Sequence, residues 1–139
     1  MIIATLTKTT KVSKEKIWQL YSDVSNWSKW DSEVEHSSLN GEFEIGSTGK
    51  IQPTKGPLAN FQITELTYLK SFTATSFLPL SKLHFVHYIK PNQDDYEITH
   101  QIEITGLTAS IFGLILGKNL KAGLQKTMEG LILILTNEK

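Results

Sequence analysis

Apolar positions in the last third of the chain recur at steps of three, four and five. Ile111, Leu114, Ile115, Leu120, Leu124, Met128, Leu131 and Leu135 follow that spacing, which is close to one face of a long amphipathic helix. The pattern predicts a helix over residues 107–136, roughly 45 Å long at about 1.5 Å per residue. Upstream of it the periodicity changes. Segments at residues 2–10, 33–39, 46–52, 58–66, 72–78, 83–90 and 96–105 alternate at period two or are rich in β-branched residues, and they read as strands. Between the first two strands, Ser13 has the chemistry of a helix N-cap, with Val12 and Ile17 at the positions of a hydrophobic staple. That helix runs to about Tyr21. A second short helix crosses residues 26–30, capped by Asp23 or Ser25. Asn40-Gly41, Lys55-Gly56-Pro57, Pro79 and the run 91–95 supply the turns.

The strands at 83–90 and 96–105 form the clearest hairpin. Tyr96, Ile98, His100, Ile102 and Ile104 share one face, and Glu97, Thr99, Gln101 and Glu103 the other. Strict alternation turns the first set inward. Leu83, Phe85, His87 and Ile89 are the more apolar set of the preceding strand. With a five-residue turn and Ile89 opposite Tyr96, His87 opposes Ile98, and Phe85 opposes His100. The two histidines are then diagonal neighbours on the inward face, roughly 7 Å apart at the backbone. Imidazoles on an apolar wall can orient a polar ligand group or exchange protons near neutral pH. The favoured reading of such a pair is core histidines satisfied by a hydroxyl or a water, ahead of ligand contact and of catalysis. As a metal site the pair lacks a third ligand.

Other positions carry less chemistry. Glu65 shares parity with Phe61 and Ile63, but a bulge or strand end there places it in solvent. Phe72, Ala74, Ser76 and Leu78 form an inward set. Trp27 and Trp30 are suited to pinning the short helix over the sheet. Gly113 and Gly117 interrupt an apolar stretch at the start of the long helix, at about 1 kcal/mol of helix stability each. They suit either a mobile gate, together with the loops at 53–57 and 78–82, or close approach of helix and sheet.

Composition narrows the function classes. The chain has 139 residues, enough for a core without staples, and fourteen basic residues balance fourteen acidic ones. Zero net charge argues against nucleic acid or an anionic membrane held by bulk charge. Every basic residue is lysine, so no guanidinium fork is present for bidentate recognition of phosphate or carboxylate. The absence of cysteine excludes disulfides, thiolate nucleophiles and Cys-ligated zinc. No signal-peptide pattern and no apolar run of transmembrane length occurs, so cytoplasmic residence without stable membrane insertion is the default expectation. No cofactor and no metal is implied. Monomer and homodimer both remain open.

The order of strand, two short helices, six strands and long helix resembles the START-like (helix-grip) superfamily, in particular its polyketide cyclase/dehydrase and lipid transport branch. Four local patterns match. Val12-Ser-Lys-Glu-Lys-Ile-Trp18 resembles the early segment ending in a hydrophobic-Trp pair. Trp27-Ser-Lys-Trp30 resembles a Trp-x-x-Trp turn into the second strand. Gly46-Ser-Thr-Gly49 and Phe61-Gln-Ile-Thr-Glu65 resemble the starts of the third and fourth strands. The resemblance covers nearly the whole chain as one domain, residues 1–139. It implies an α+β fold in which a seven-stranded antiparallel curved sheet wraps around the C-terminal helix, with a ligand cavity between them. Within that cavity the inward sets nominate Phe61, Ile63, Phe72, Phe85, His87 and Tyr96 as ligand-binding residues. Ile98, His100, Ile102, Phe112, Leu116 and Leu120 complete the expected lining.

Two functions follow as expectations. One is binding of a small hydrophobic or amphipathic molecule, lipid- or polyketide-like, without chemistry. The alternative is a polyketide cyclase/dehydratase-type enzyme using His87 or His100 as acid or base. The family's cyclases often place Arg in the cavity, which this chain lacks, and no catalytic position matches residue by residue. A filled core serving as an interaction module is a third reading.

Overall fold

Strand β1, Ile2–Thr10, leads through the Ser13 cap into helix α1, Lys14–Ser22. The Ser13 hydroxyl accepts from the Lys16 amide at 3.3 Å, satisfying one of the free donors of the first turn. A 3-10 helix follows at Val24–Lys29. Six strands come next: β2 (Val34–Leu39), β3 (Thr48–Pro53), β4 (Ala59–Thr67), β5 (Ser71–Leu78), β6 (Ser81–Asn92) and β7 (Asp95–Gly106). Helix α2 closes the chain at Ala109–Asn137. The computed structural model describes residues 1–137; residues 138 and 139, the last of the expected domain span, lie outside the described residues.

The seven strands form one antiparallel sheet in the order β1-β7-β6-β5-β4-β3-β2. Each neighbour beyond β2 is the next strand in sequence, and β1 returns to pair with β7. α1 and the 3-10 helix bridge from β1 to β2, the two edges of the sheet, and α2 lies across its inner face. This is the α+β helix-grip arrangement that the family resemblance implies.

The β6–β7 hairpin differs from expectation in register. The strands extend to Asn92 and Asp95 around a two-residue turn, and Gln93 there takes φ 58°. Tyr96 therefore opposes Pro91 rather than Ile89, and His87 faces His100 directly. The five-residue polar run 91–95 looks like a loop in sequence. A tight turn instead allows every residue outside Gln93 and Asp94 to pair.

From Leu120 to Leu135 α2 presents the expected face, and Phe112 and Leu116 turn inward as the expected lining does, but the first turns depart from the predicted stripe. Ile111, Leu114 and Ile115 are exposed, while Phe112, Leu116 and Leu120 turn toward the sheet. Glycines explain the rotation, because they belong to the inward face. A Cβ at Gly130 would overlap the Trp30 carbonyl oxygen, and one at Gly123 would come within 3.2 Å of the Glu33 carboxylate. Gly113 and Gly117 sit against the side chains of Met1 and Ile3. Reading only large apolar residues as the core face misses a face that approaches its neighbours through glycine. This favours close approach over a gate.

Two apolar clusters share the interior. The larger packs Ile17, Trp18, Tyr21, Trp27, Phe61, Phe72, Met128, Leu131 and Leu135 beneath α1 and the C-terminal half of α2. The smaller gathers Leu83, Ile102, Ile104 and Leu124, ringed by partly buried Leu6, Phe85, Phe112 and Leu120. Thr127 on α2 donates to Asp31 at 2.7 Å, fastening the C-terminal half of the helix to the segment after the 3-10 helix.

Candidate functional site: a histidine pair between two core clusters

Inward pairs along the β6–β7 hairpin form a ladder. Leu83 faces Ile104, Phe85 faces Ile102, His87 faces His100, and Ile89 faces Ile98. The first two rungs hold residues of the smaller cluster, and Ile89 and Ile98 belong to the larger one. The histidine rung is thus the seam between them. Helix α2 passes from one cluster to the other between Leu124 and Met128.

The two imidazoles meet edge to face with centroids 4.6 Å apart, closer than the diagonal placement expected from sequence. His87 stacks flat on Phe72 at 4.0 Å and 5°. Its Nδ1 lies 3.3 Å from the Phe72 carbonyl oxygen. A carbonyl only accepts, so Nδ1 carries the proton and Nε2 of the neutral ring is left as an acceptor. His100 is buried, and its Nε2 shares a 2.8 Å hydrogen bond with the Tyr21 hydroxyl. Tyr21 is itself fully buried and holds its ring 5.6 Å from His87 and 5.7 Å from His100.

Burial governs the protonation of the cluster. It lowers His87 to about 4, partly offset by backbone carbonyls that favour the charged ring. It pushes His100 well below its ordinary value, and the neighbouring His87 adds to that shift. It also raises the Tyr21 hydroxyl. All three groups are therefore neutral near pH 7. His87 nevertheless keeps part of its surface accessible. The surrounding rings of Phe72, Tyr21 and His100, rather than complete coverage, make its environment apolar.

Trp30 adds a donor that sequence reasoning did not connect to the site. Its indole lies 6.0 Å from Tyr21 and 6.2 Å from His100, and its buried Nε1 has no hydrogen-bond partner among the described residues. An unpaired buried donor costs about 1–3 kcal/mol. Tyr21 was also missed, because it falls at the end of a short helix 79 residues from His100. Trp27 behaves differently: its Nε1 donates to the Tyr21 carbonyl at 2.9 Å, and its ring stacks on Phe61 and Phe72. It pins the short helical segment to the sheet.

The twelve residues nominated from sequence separate into three groups. Phe61, Ile63, Phe72 and Ile98 are buried in the larger cluster, with Tyr96 on its flank. Phe85, Ile102, Phe112 and Leu120 belong to the smaller cluster, and Leu116 is half-buried on the same face of α2. His87 and His100 occupy the seam. Glu65 follows a register shift in β4 and faces the hydroxyls of Thr67, Ser71 and Thr73, away from the cluster. Two surface hollows lie elsewhere. One of about 590 Å3 sits between α1 and Tyr68-Leu69; the other, about 440 Å3, lies beside the β5–β6 turn. Neither is lined by any of the twelve.

No protein-family model and no curated protein sequence matches the chain. Solved structures do. A truncated norcoclaurine synthase from Thalictrum flavum superposes with a TM-score of 0.69 at 13% identity, over 95% of this chain and 92% of that one. A STAR-related lipid transfer protein fragment from Xanthomonas axonopodis gives 0.65 at 12% identity, over 95% and 84%. A putative protein of the dynemicin biosynthetic locus gives 0.73 at 13% identity; it aligns with 98% of this chain but only 48% of its own length is covered. Identities this low speak to architecture alone. With the strand order, the bridging short helices and the long closing helix, they show that this chain has the START-like, helix-grip fold.

Proposed function

We propose that the protein holds a small hydrophobic or amphipathic molecule, lipid- or polyketide-like, between the sheet and the N-terminal half of α2, without chemistry. The observation that carries this reading is the contrast between the two clusters. Met128, Leu131, Leu135, Phe72 and Tyr21 are fully buried, whereas Leu6, Phe85, Phe112, Leu116 and Leu120 turn inward yet keep accessible surface. Apolar side chains that face one another without covering one another suit an apolar guest. At the inner end of that space stands His87, whose free Nε2 accepts a hydrogen bond from a ligand hydroxyl. The nominated lining narrows accordingly to Phe85, His87, Ile102, Phe112, Leu116 and Leu120. The name of the lipid transfer relative is in keeping with such a guest.

Catalysis by the histidines is the weaker reading. Burial lowers His87 to about 4, so the ring is overwhelmingly neutral at pH 7 and poorly suited to general acid chemistry there. Native mass spectrometry of the protein purified from its source tests the proposal. A stoichiometric apolar adduct, released on denaturation, is the expected result. A clean apo mass that persists after incubation with a panel of long-chain lipids and aromatic polyketides would overturn it.

A further inference from the structure

We propose that the end of the molecule formed by the start of α2 and the β5–β6 turn docks on an anionic lipid surface. This is independent of what the interior holds. Six large apolar side chains are exposed there: Phe77, Leu80, Leu107, Ile111, Leu114 and Ile115, with Leu107 89% and Leu114 87% accessible. They form one region because the turn and the helix start are joined. Ser81 pairs with Gly106, the Thr108 hydroxyl donates to the Pro79 carbonyl, and the Thr108 amide reaches the Leu80 carbonyl at 3.5 Å.

Leu80 is the most informative of the six. It sits in the left-handed region at φ 59° and is 70% exposed. After Pro79 that turn position favours glycine or asparagine. A leucine there costs backbone strain of the order of 1 kcal/mol and gains no burial within the fold. Leu69 and Gln93 take the same conformation in their own turns, so it is the exposure of Leu80, a large apolar side chain with no burial inside the fold, that suits a contact outside the chain.

Charge selects the partner. No aspartate or glutamate occurs in the segments 77–82 and 106–121 that carry the exposed apolar residues; Glu103, paired with His84, is the carboxylate nearest in register to Lys82. Lys118 and Lys121 lie on the exposed side of α2, at helical spacing from Ile111, Leu114 and Ile115. Lys118 follows Ile115 by about 4.5 Å along the axis. An apolar tip entering about 5–10 Å into the headgroup boundary therefore brings these lysines to the level of lipid phosphates. Lys82 stands 5.8 Å over the Phe77 ring, a third cation at the same rim. Lys118 and Lys121 thus stand next to the apolar tip, so local attraction to a negative surface adds to apolar burial. A second copy fits less well, because a two-fold contact would set these lysines against their equivalents with no nearby carboxylate from these stretches. Among the described residues no helix is long and apolar enough to cross a membrane, in keeping with docking rather than insertion.

Co-sedimentation with phosphatidylcholine vesicles, with and without about one-third phosphatidylserine, tests the proposal. The full chain should pellet with the anionic vesicles, and binding should weaken severalfold as salt is raised. Leu80→Gly combined with Leu114→Ser should lower partitioning by on the order of tenfold or more. Glycine accommodates the left-handed turn, and both side chains are exposed, so circular dichroism and the urea midpoint should confirm an intact fold. Lys118→Gln with Lys121→Gln should remove most of the salt-sensitive part. Failure to pellet with anionic vesicles, or binding that neither double variant alters, would overturn the proposal. A concentration-dependent dimer in ultracentrifugation, abolished by Leu80→Gly with Leu114→Ser, would also overturn it and assign the surface to a second copy.

Discussion

Neutral imidazoles inside an apolar cluster tie stability to pH. In the unfolded chain His87 and His100 titrate near 6.5, whereas in the fold burial lowers His87 to about 4 and His100 well below its ordinary value. Between about pH 6.5 and 4 the unfolded state therefore binds more protons than the folded state, and stability falls as pH falls. Above that window both states are neutral and the contribution is flat. Each histidine adds up to about 1.4 kcal/mol per pH unit. Asp31 acts in the opposite direction. Burial raises its pKa, so the folded state takes up that proton first and gains stability as pH falls toward the ordinary carboxylate range. Comparing variants isolates the histidine share. The drop in urea midpoint from pH 7 to pH 5 should be smaller in His87→Gln than in the parent. An equal drop would mean that the folded protein already protonates His87 near its ordinary pKa, and would remove the basis for treating its Nε2 as a standing acceptor.

Helix α2 shows how far an element can be read from its residues. Its existence was legible in the apolar spacing, and so were the strands, because both depend on local periodicity; its last stretch, 131–135, is apolar on all sides and reads locally as a strand, so the end of the helix and the antiparallel sheet rested on the family resemblance. Its facing was legible only in part. Ile111, Leu114 and Ile115 continue the periodic pattern, but close contact with Met1, Ile3, Glu33 and Trp30 is made through Gly113, Gly117, Gly123 and Gly130. A glycine gives no hydropathy signal, so the spacing misplaced Ile111, Leu114 and Ile115 in the first turns, while Leu120, Leu124, Met128, Leu131 and Leu135 face inward as the pattern predicts. The hairpin failed for a related reason: polar residues in 91–95 conceal a two-residue turn, and a shift of two positions made a diagonal histidine pair out of a direct one. Parity survived the shift, so the inward set was right and its partners wrong. The glycines can be separated by substitution. Gly117→Ala has its nearest new contact at 3.9 Å, on Ile3, so improved helix propensity should stabilise the protein by about 0.5–1 kcal/mol. Gly130→Ala drives a methyl into the Trp30 backbone carbonyl and should destabilise by about 1–3 kcal/mol. Urea denaturation of the two variants checks both signs. Stabilisation by Gly130→Ala would show that α2 does not rest against the 3-10 segment.

At the scale of the whole molecule the two clusters perform different tasks. The larger joins α1, the 3-10 helix, the middle strands and the C-terminal half of α2 around Tyr21, Trp27 and Phe72, and supplies most of the fixed core. The smaller lies under the half of α2 whose outer face is apolar, and its rim side chains keep accessible surface. Two phenylalanines on adjacent strands compare the halves directly. Phe72 is fully buried and packs among Trp18, Tyr21, Trp27, Phe43 and His87, whereas Phe85 is only partly covered. Deleting the Phe72 ring removes transfer energy and leaves a cavity that its neighbours cannot close, so Phe72→Ala should cost about 3–5 kcal/mol. Phe85→Ala removes the same atoms from a looser setting and should cost roughly half as much. The altered proteins should also differ toward an apolar fluorescent dye under native conditions. Phe85→Ala enlarges a space already open to a guest, so its dye binding should change while the fold persists. Equal costs for the two substitutions, with dye binding unaffected by Phe85→Ala, would mean that both halves are filled alike. The interior under α2 would then be structural core, and the proposed ligand site would have to be abandoned.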